Sequence, residues 1–142
     1  MNDVYLALGS NLGDRKGNLE KALTYLDGLV GERLRESSVM ETEAVGFKGA
    51  PFLNMVAAYR TALTPGELLA ACKKVESLLG RKPGGAEYDA SGRRIYHDRP
   101  IDVDILLFGD MHITEEGLVI PHPGLRERAF FKEPLMEIYE KD

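Results

Sequence analysis

Four stretches of strand period and two of helical period alternate along this chain in one order, and that order leaves few folds open. Val4 to Leu8 is a short apolar run that stops at Gly9, after which Leu19, Ala22, Leu23, Leu26, Leu29 and Val30 recur at helical spacing. Strands are expected across Leu34 to Met40 and across Phe52 to Tyr59. Between them lies TEAVGFKGAP, which is long for a hairpin. TPGELLAACKKVESLLG reads as a helix with Thr64 as N-cap, Pro65 at the first position, Glu67 closing a capping box and Gly80 as the stop. A long irregular segment leads to a fourth strand, RPIDVDILLFG, then a turn at Gly109-Asp110, a short return strand and a C-terminal helix near Ala129 to Tyr139. The order β-α-β-β-α-β is that of a ferredoxin-like α+β sandwich, here with an added C-terminal hairpin and helix. Such a fold puts one antiparallel sheet under two helices and leaves its other face open.

A chain of 142 residues that is 44% hydrophobic suits a single domain, residues 1–142, with one real core. No apolar run approaches the roughly 20 residues of a membrane span, and Met1-Asn2-Asp3 lacks the start of a signal peptide, so a soluble cytoplasmic protein without a membrane role is expected. Cys72, the only cysteine, lies among Leu68, Leu69 and Val75 in a helical pattern and reads as a buried reduced thiol. A formal net charge of -5 argues against broad attraction to nucleic acid, so any grip on phosphate must be local.

The fourth strand carries the chemistry. Side chains alternate along a strand, so Ile101, Val103, Ile105 and Leu107 are expected on one face, beneath the helices, with Asp102 and Asp104 on the other. Two carboxylates so placed, about 7 Å apart at Cα, can hold Mg²⁺, which prefers one or two carboxylates plus waters and substrate phosphates. The competing reading is a solvated strand face. Just upstream, Arg81 to Arg99 holds Arg81, Lys82, Arg93, Arg94 and Arg99 against Glu87, Asp89 and Asp98, a net positive stretch in an acidic protein. Guanidinium groups beside paired carboxylates suit a metal-bound polyphosphate; a basic surface loop is the alternative. LGSNLGDR, which joins the first strand to the first helix, fails as a Walker loop, because Gly9 and Gly13 enclose three residues and Asp14-Arg15 follow. Tight turning and helix capping account for it better.

Taken together, ALGSNLGDR, FLNMVAAYRT, RPIDVDILLFG and IPHPGLRERAFFKEPLMEI resemble the 6-hydroxymethyl-7,8-dihydropterin pyrophosphokinase family of folate biosynthesis, over nearly the whole chain and in the same order. The resemblance implies transfer of the pyrophosphoryl group of ATP to the pterin hydroxymethyl group, giving AMP and the pterin diphosphate, with two Mg²⁺ per site. By position it implies metal-binding roles for Asp102 and Asp104, and catalytic phosphate contacts from Arg81 and Arg99. It places the pterin among Thr42, Val45, Phe52, Asn54 and Phe130, and ATP among Leu69, Glu76, Arg81, Arg99, Ile105, His122 and Arg128. Read without the family, Phe52 and Phe130 are ordinary core residues, Asn54 a satisfied strand amide and His122 a turn residue between prolines.

The family often has Trp-Gly-Pro-Arg before the acidic strand where this chain has Tyr96-His97-Asp98-Arg99, which sets a negative charge beside Arg99. The 81–99 loop is also longer than in many relatives, and no one of Lys82, Arg93 and Arg94 is singled out as a further phosphate contact. Both this loop and TEAVGFKGAP are expected to be mobile and to close over bound ATP. A monomer is expected, with a weak dimer as the alternative. Rival functions are a non-catalytic small-ligand regulatory module of the same fold, a magnesium phosphohydrolase and a single-strand RNA binder. The acidic chain and the absence of a Gly-aromatic pattern in FLNMVAAYR speak against the last.

Overall fold

The computed structural model describes residues 1–43, 49–80, 87–88, 94–95 and 99–139, the two dipeptides through their backbone. The elements are β1 (Asn2–Ser10), α1 (Arg15–Leu29), β2 (Gly31–Glu36), β3 (Met40–Thr42), β4 (Phe52–Thr61), α2 (Pro65–Leu78), β5 (Glu87–Tyr88), β6 (Arg94–Ile95), β7 (Asp102–Phe108), β8 (Ile113–Glu115), β9 (Leu118–Ile120) and α3 (Ala129–Ile138). The main sheet has the order β2-β4-β1-β7 with antiparallel neighbours throughout, the ferredoxin-like arrangement, and β7 lies at one edge. Among the described residues no helix is long and apolar enough to cross a membrane.

Local chemistry explains where the helices begin and end. In α2 the Thr64 hydroxyl accepts from the Glu67 N–H at 3.2 Å while the Glu67 carboxylate accepts from the Thr64 N–H at 2.9 Å, so two free N–H groups of the first turn are satisfied together. Gly80 follows at φ 94, a conformation that suits glycine. Asp14 caps α1 by accepting from the Gly17 N–H at 3.1 Å.

The single strand expected across 34–40 is two strands, β2 and β3, laid end to end along β4. Ser37 makes the break. Its N–H donates to the Val56 carbonyl and its hydroxyl accepts from the Val56 N–H at 2.9 Å, so a side chain takes over one rung of the ladder and the chain jogs. The return strand expected after Gly109 is a separate hairpin, β8 with β9. The stretch before β7, expected to be irregular, contains the short pair β5 and β6. Of the two loops expected to close over ATP, 44–48 and most of 81–98 lie outside the described residues.

Both faces of the sheet carry a core. On one, α1 and α2 pack Leu19, Leu26, Leu68, Cys72 and Val75 against Leu6, Leu8, Ala57, Tyr59, Val103 and Ile105. Cys72 is buried as expected, and burial pushes its thiol pKa up, which keeps it protonated. On the other face α3 lays Phe131, Leu135 and Ile138 over Tyr5, Ala7, Val56, Ala58 and Leu106. The expectation of an open second face is therefore wrong for most of its length. α3 is also tied to the Ser37 jog, since Glu137 accepts from the Ser38 N–H at 2.9 Å and from its hydroxyl at 2.7 Å.

The alternation expected along β7 holds only as far as Ile105. The register against β1 steps from Leu6 opposite Ile105 to Tyr5 opposite Leu107, which leaves Leu106 as an extra residue in the strand. Beyond this bulge the faces exchange, so Leu107 packs beside the α3 cluster rather than beneath α1 and α2, and Phe108 takes the place assigned to it.

Candidate active site

Where α3 stops covering the second face, the sheet floors a cleft of about 200 Å³. The floor comes from the ends of three adjacent strands. Gly9 of β1 stands between Asn54 of β4 and Asp102 of β7, and Ala7 stands beside Asp104. Glycine and alanine at these positions leave the space above β1 unfilled. A Cβ on Gly9 would lie 3.1 Å from Asn54 Oδ1 and 3.4 Å from Phe52 Cδ1.

Around this floor stand Thr42, Phe52, Asn54, Arg99, Asp102, Asp104, Arg128 and Phe130, all of them expected from the sequence, together with Glu43 and Phe131, which were not. Asn54 is buried, and its Nδ2 donates to the Thr42 hydroxyl at 2.7 Å, so the amide is held with its oxygen side turned toward Gly9. Phe52 lies at the start of β4 opposite Thr42. Phe130, in the first turn of α3, meets Phe131 edge-on at 4.7 Å, and the Arg128 guanidinium lies over both rings at 5.8 and 5.7 Å. One wall is thus aromatic and amide-bearing, the other charged.

On the charged wall Asp102 and Asp104 project from the same face of β7, with side chains 29% and 32% exposed. Arg99 Nη1 lies 3.7 Å from Asp102, and the same guanidinium reaches over the Phe52 ring at 6.0 Å. His122 Nε2 stands 3.9 Å from Asp104, beyond hydrogen-bond reach. Its Nδ1 accepts from the Gly124 N–H at 3.0 Å, so the neutral ring carries its proton on Nε2, facing the aspartate. Burial, reinforced by Arg128 and opposed by Asp102, holds the His122 pKa below its ordinary 6.5, so the ring is neutral at neutral pH.

Leu69, Glu76 and Ile105, expected near ATP, are on the other side of β7. Leu69 and Ile105 belong to the α1 and α2 core, and Glu76 accepts from the Val103 N–H at 2.9 Å, covering part of the sheet edge. Val45 and Arg81 lie outside the described residues, as do Lys82, Arg93 and Tyr96-His97-Asp98.

Among the described residues no group of three or more His, Cys, Asp and Glu is placed to hold a metal ion by itself. Two carboxylates open to a cleft fit magnesium, which takes the rest of its shell from water and substrate oxygens, better than a closed structural metal.

Residues 5–140 match the family described as 7,8-dihydro-6-hydroxymethylpterin-pyrophosphokinase (HPPK). The chain belongs to the HPPK family. Among curated HPPK relatives, the 2-amino-4-hydroxy-6-hydroxymethyldihydropteridine pyrophosphokinase of Porphyromonas gingivalis is 42% identical over 137 residues, covering 95% of this chain and 89% of that one. The enzyme of the same name from Bacillus subtilis is 39% identical, over 99% of this chain and 81% of that one. A folate synthesis bifunctional protein of Arabidopsis thaliana is 37% identical over 96% of this chain, which corresponds to 27% of its own length. In fold, the chain superposes on the HPPK-DHPS of Plasmodium falciparum with a TM-score of 0.72 at 16% identity, spanning 96% of this chain and 41% of that one.

Proposed function

We propose that this cleft holds both substrates of the reaction its HPPK family performs, transfer of the pyrophosphoryl group of ATP to 6-hydroxymethyl-7,8-dihydropterin, which gives AMP and the pterin diphosphate in folate biosynthesis. The observation that carries this reading is the junction at Gly9, where one strand position is flanked by an amide-bearing aromatic wall on one side and a paired-carboxylate wall on the other. A flat heteroaromatic ring with a donor and acceptor edge fits the first, and a magnesium-bound triphosphate fits the second.

On the pterin side, Phe52 and Phe130 offer ring faces to the heterocycle, and Asn54, held by Thr42, offers its amide edge. Val45 completes this side in the proposal. On the phosphate side Asp102 and Asp104 would hold magnesium, two ions in this reading. Bound there, the metal supplies Lewis-acid polarisation of phosphate oxygens and of the attacking hydroxyl. Arg99 and Arg128 stand where they can take up charge on the phosphate oxygens, with Arg81 as a third contributor, and His122 presents its Nε2 proton as a neutral donor. Glu76 and Leu69 border the nucleotide where it crosses the edge of the sheet. The buried Ile105 contributes there through its backbone. Among the described residues no side chain of the cleft stands out as a dedicated base for the hydroxymethyl proton. The protein works in this reading as a cytoplasmic monomer.

One incubation tests the proposal: purified protein with ATP, Mg²⁺ and the hydroxymethyl dihydropterin, assayed for nucleotide products. AMP and pterin diphosphate in equal amounts are expected, and only when all three components are present. ADP, or orthophosphate released without the pterin, would point to a phosphohydrolase and overturn it.

A further inference from the structure

LGSNLGDR, read from sequence as a turn and a cap, does more than turn the chain. Asn11 within it is 3% exposed and uses both ends of its amide on two other segments. Its Oδ1 accepts from the Arg99 N–H at 2.7 Å, and its own backbone N–H donates to the Arg99 carbonyl at 3.1 Å, so Arg99 is gripped at both of its main-chain polar groups. Its Nδ2 donates to the Ala50 carbonyl at 3.0 Å. Ala50 lies two residues before Phe52 and Arg99 three residues before Asp102.

One buried side chain therefore joins the strand that leads into the aromatic wall to the strand that leads into the acidic wall. Only one orientation of the amide serves both partners, because an N–H needs an acceptor and a carbonyl needs a donor. Aspartate would lack the donor and leucine would lack both. Arg15, four residues on, supports the same clasp by donating to the Pro51 carbonyl at 3.0 Å and pairing with Glu41 at 2.9 Å. Asn18 shapes the turn by donating to the Leu12 carbonyl at 2.9 Å.

We infer that Asn11 is a positioning residue of the transfer reaction, setting the pterin wall and the phosphate wall at the separation that brings the hydroxymethyl oxygen to the β-phosphorus. This rests on the reading of the cleft given above. Asn11 acts through Arg99 and the Ala50 backbone. Its loss leaves each wall intact while the two drift relative to one another. Misplacement of about 1 Å between reacting groups costs on the order of 10²-fold in rate, whereas each substrate still finds its own wall.

The test separates alignment from binding. AMP formation is measured for wild type, Asn11→Ala and Asn11→Ser, the serine offering one hydroxyl on a shorter side chain in place of the two ends of the amide. Titration calorimetry then measures binding of the pterin alone, and of magnesium with a non-hydrolysable ATP analogue alone. The expected result is a fall in kcat of about 10- to 100-fold in Asn11→Ala, a smaller fall in Asn11→Ser, and unchanged affinity for each ligand by itself. If Asn11→Ala does not fold, Asn11→Ser is read by the same criterion. An unchanged kcat, or a loss of ligand affinity that matches the loss of kcat, would overturn the assignment. A wild-type protein that forms no AMP would sink the reading of the cleft instead.

Discussion

At the scale of single residues, the site is set by which side chains are small as much as by which are charged. Asp102 and Asp104 stand on the uncovered end of the sheet, partly exposed and outside both cores, so their replacement should spare the fold. Asp102→Asn or Asp104→Asn is expected to lower kcat by on the order of 10²-fold or more, with an unchanged thermal midpoint; a coincident collapse of both would show the carboxylates to be structural. Gly9→Ala is a sharper probe. The added methyl would sit 3.1 Å from Asn54 Oδ1, and Asn54 is anchored to Thr42, so the amide has little room to yield. Pterin affinity should fall while affinity for the magnesium nucleotide stays, as read by titration with each ligand. Phe52→Ala should likewise weaken mainly the pterin, by about 1 kcal/mol or more for the lost ring contact.

At the scale of elements, the helices were legible because their signals are local. The Thr64 to Glu67 capping box and the Gly80 stop involve groups within one turn, and the structure shows both where the sequence put them. Thr64→Ala should cost about 1 kcal/mol of stability in urea unfolding and leave the kinetics alone, since α2 begins far from the cleft. A change in pterin KM would contradict that separation. The strands were less legible at their irregularities. The break at Ser37 depends on Val56, nineteen residues on, and the bulge at Leu106 depends on how β7 meets β1. Neither partner is visible in a window of local periodicity, so one strand was expected where two exist, and Leu107 was placed on the wrong face. Asp102 and Asp104 were placed correctly because they precede the bulge.

At the scale of the whole molecule, a polar tie joins α1, β2 and β4 across the far end from the cleft. Asp27 accepts from the Arg33 guanidinium at 2.9 Å and from the hydroxyl of the fully buried Tyr59 at 2.9 Å. The hydrogen bond from Arg33, with that from Tyr59, outweighs burial and holds the Asp27 pKa below its ordinary 3.8. A carboxyl whose folded pKa is depressed contributes stability that is fully present above its unfolded pKa. That stability is lost as the pH falls through the folded one. Stability should therefore hold from neutrality down to the ordinary carboxylate range and decline below it, and Asp27→Asn should flatten that acid limb in urea unfolding measured at successive pH values. An identical acid limb in the variant would remove Asp27 from the account. The contribution is modest, because the Asp27 side chain is 41% exposed and partly screened by water.

By itself the sequence determined the order of the main helices and strands, the helix caps, the acidic pair on its strand and, through its resemblance to a family, the chemistry to look for. These are set by neighbours in the chain, whose periodicity and capping do not depend on what lies across the sheet. Tertiary structure alone decided that α3 covers most of the second face and leaves a cleft at one end, and that Gly9 floors it. It also decided that Asn11 ties the two walls together. Those facts depend on contacts between residues tens of positions apart, and a hydrogen bond from the Arg99 N–H back to the Asn11 side chain, 88 residues earlier, leaves no periodic trace in either segment.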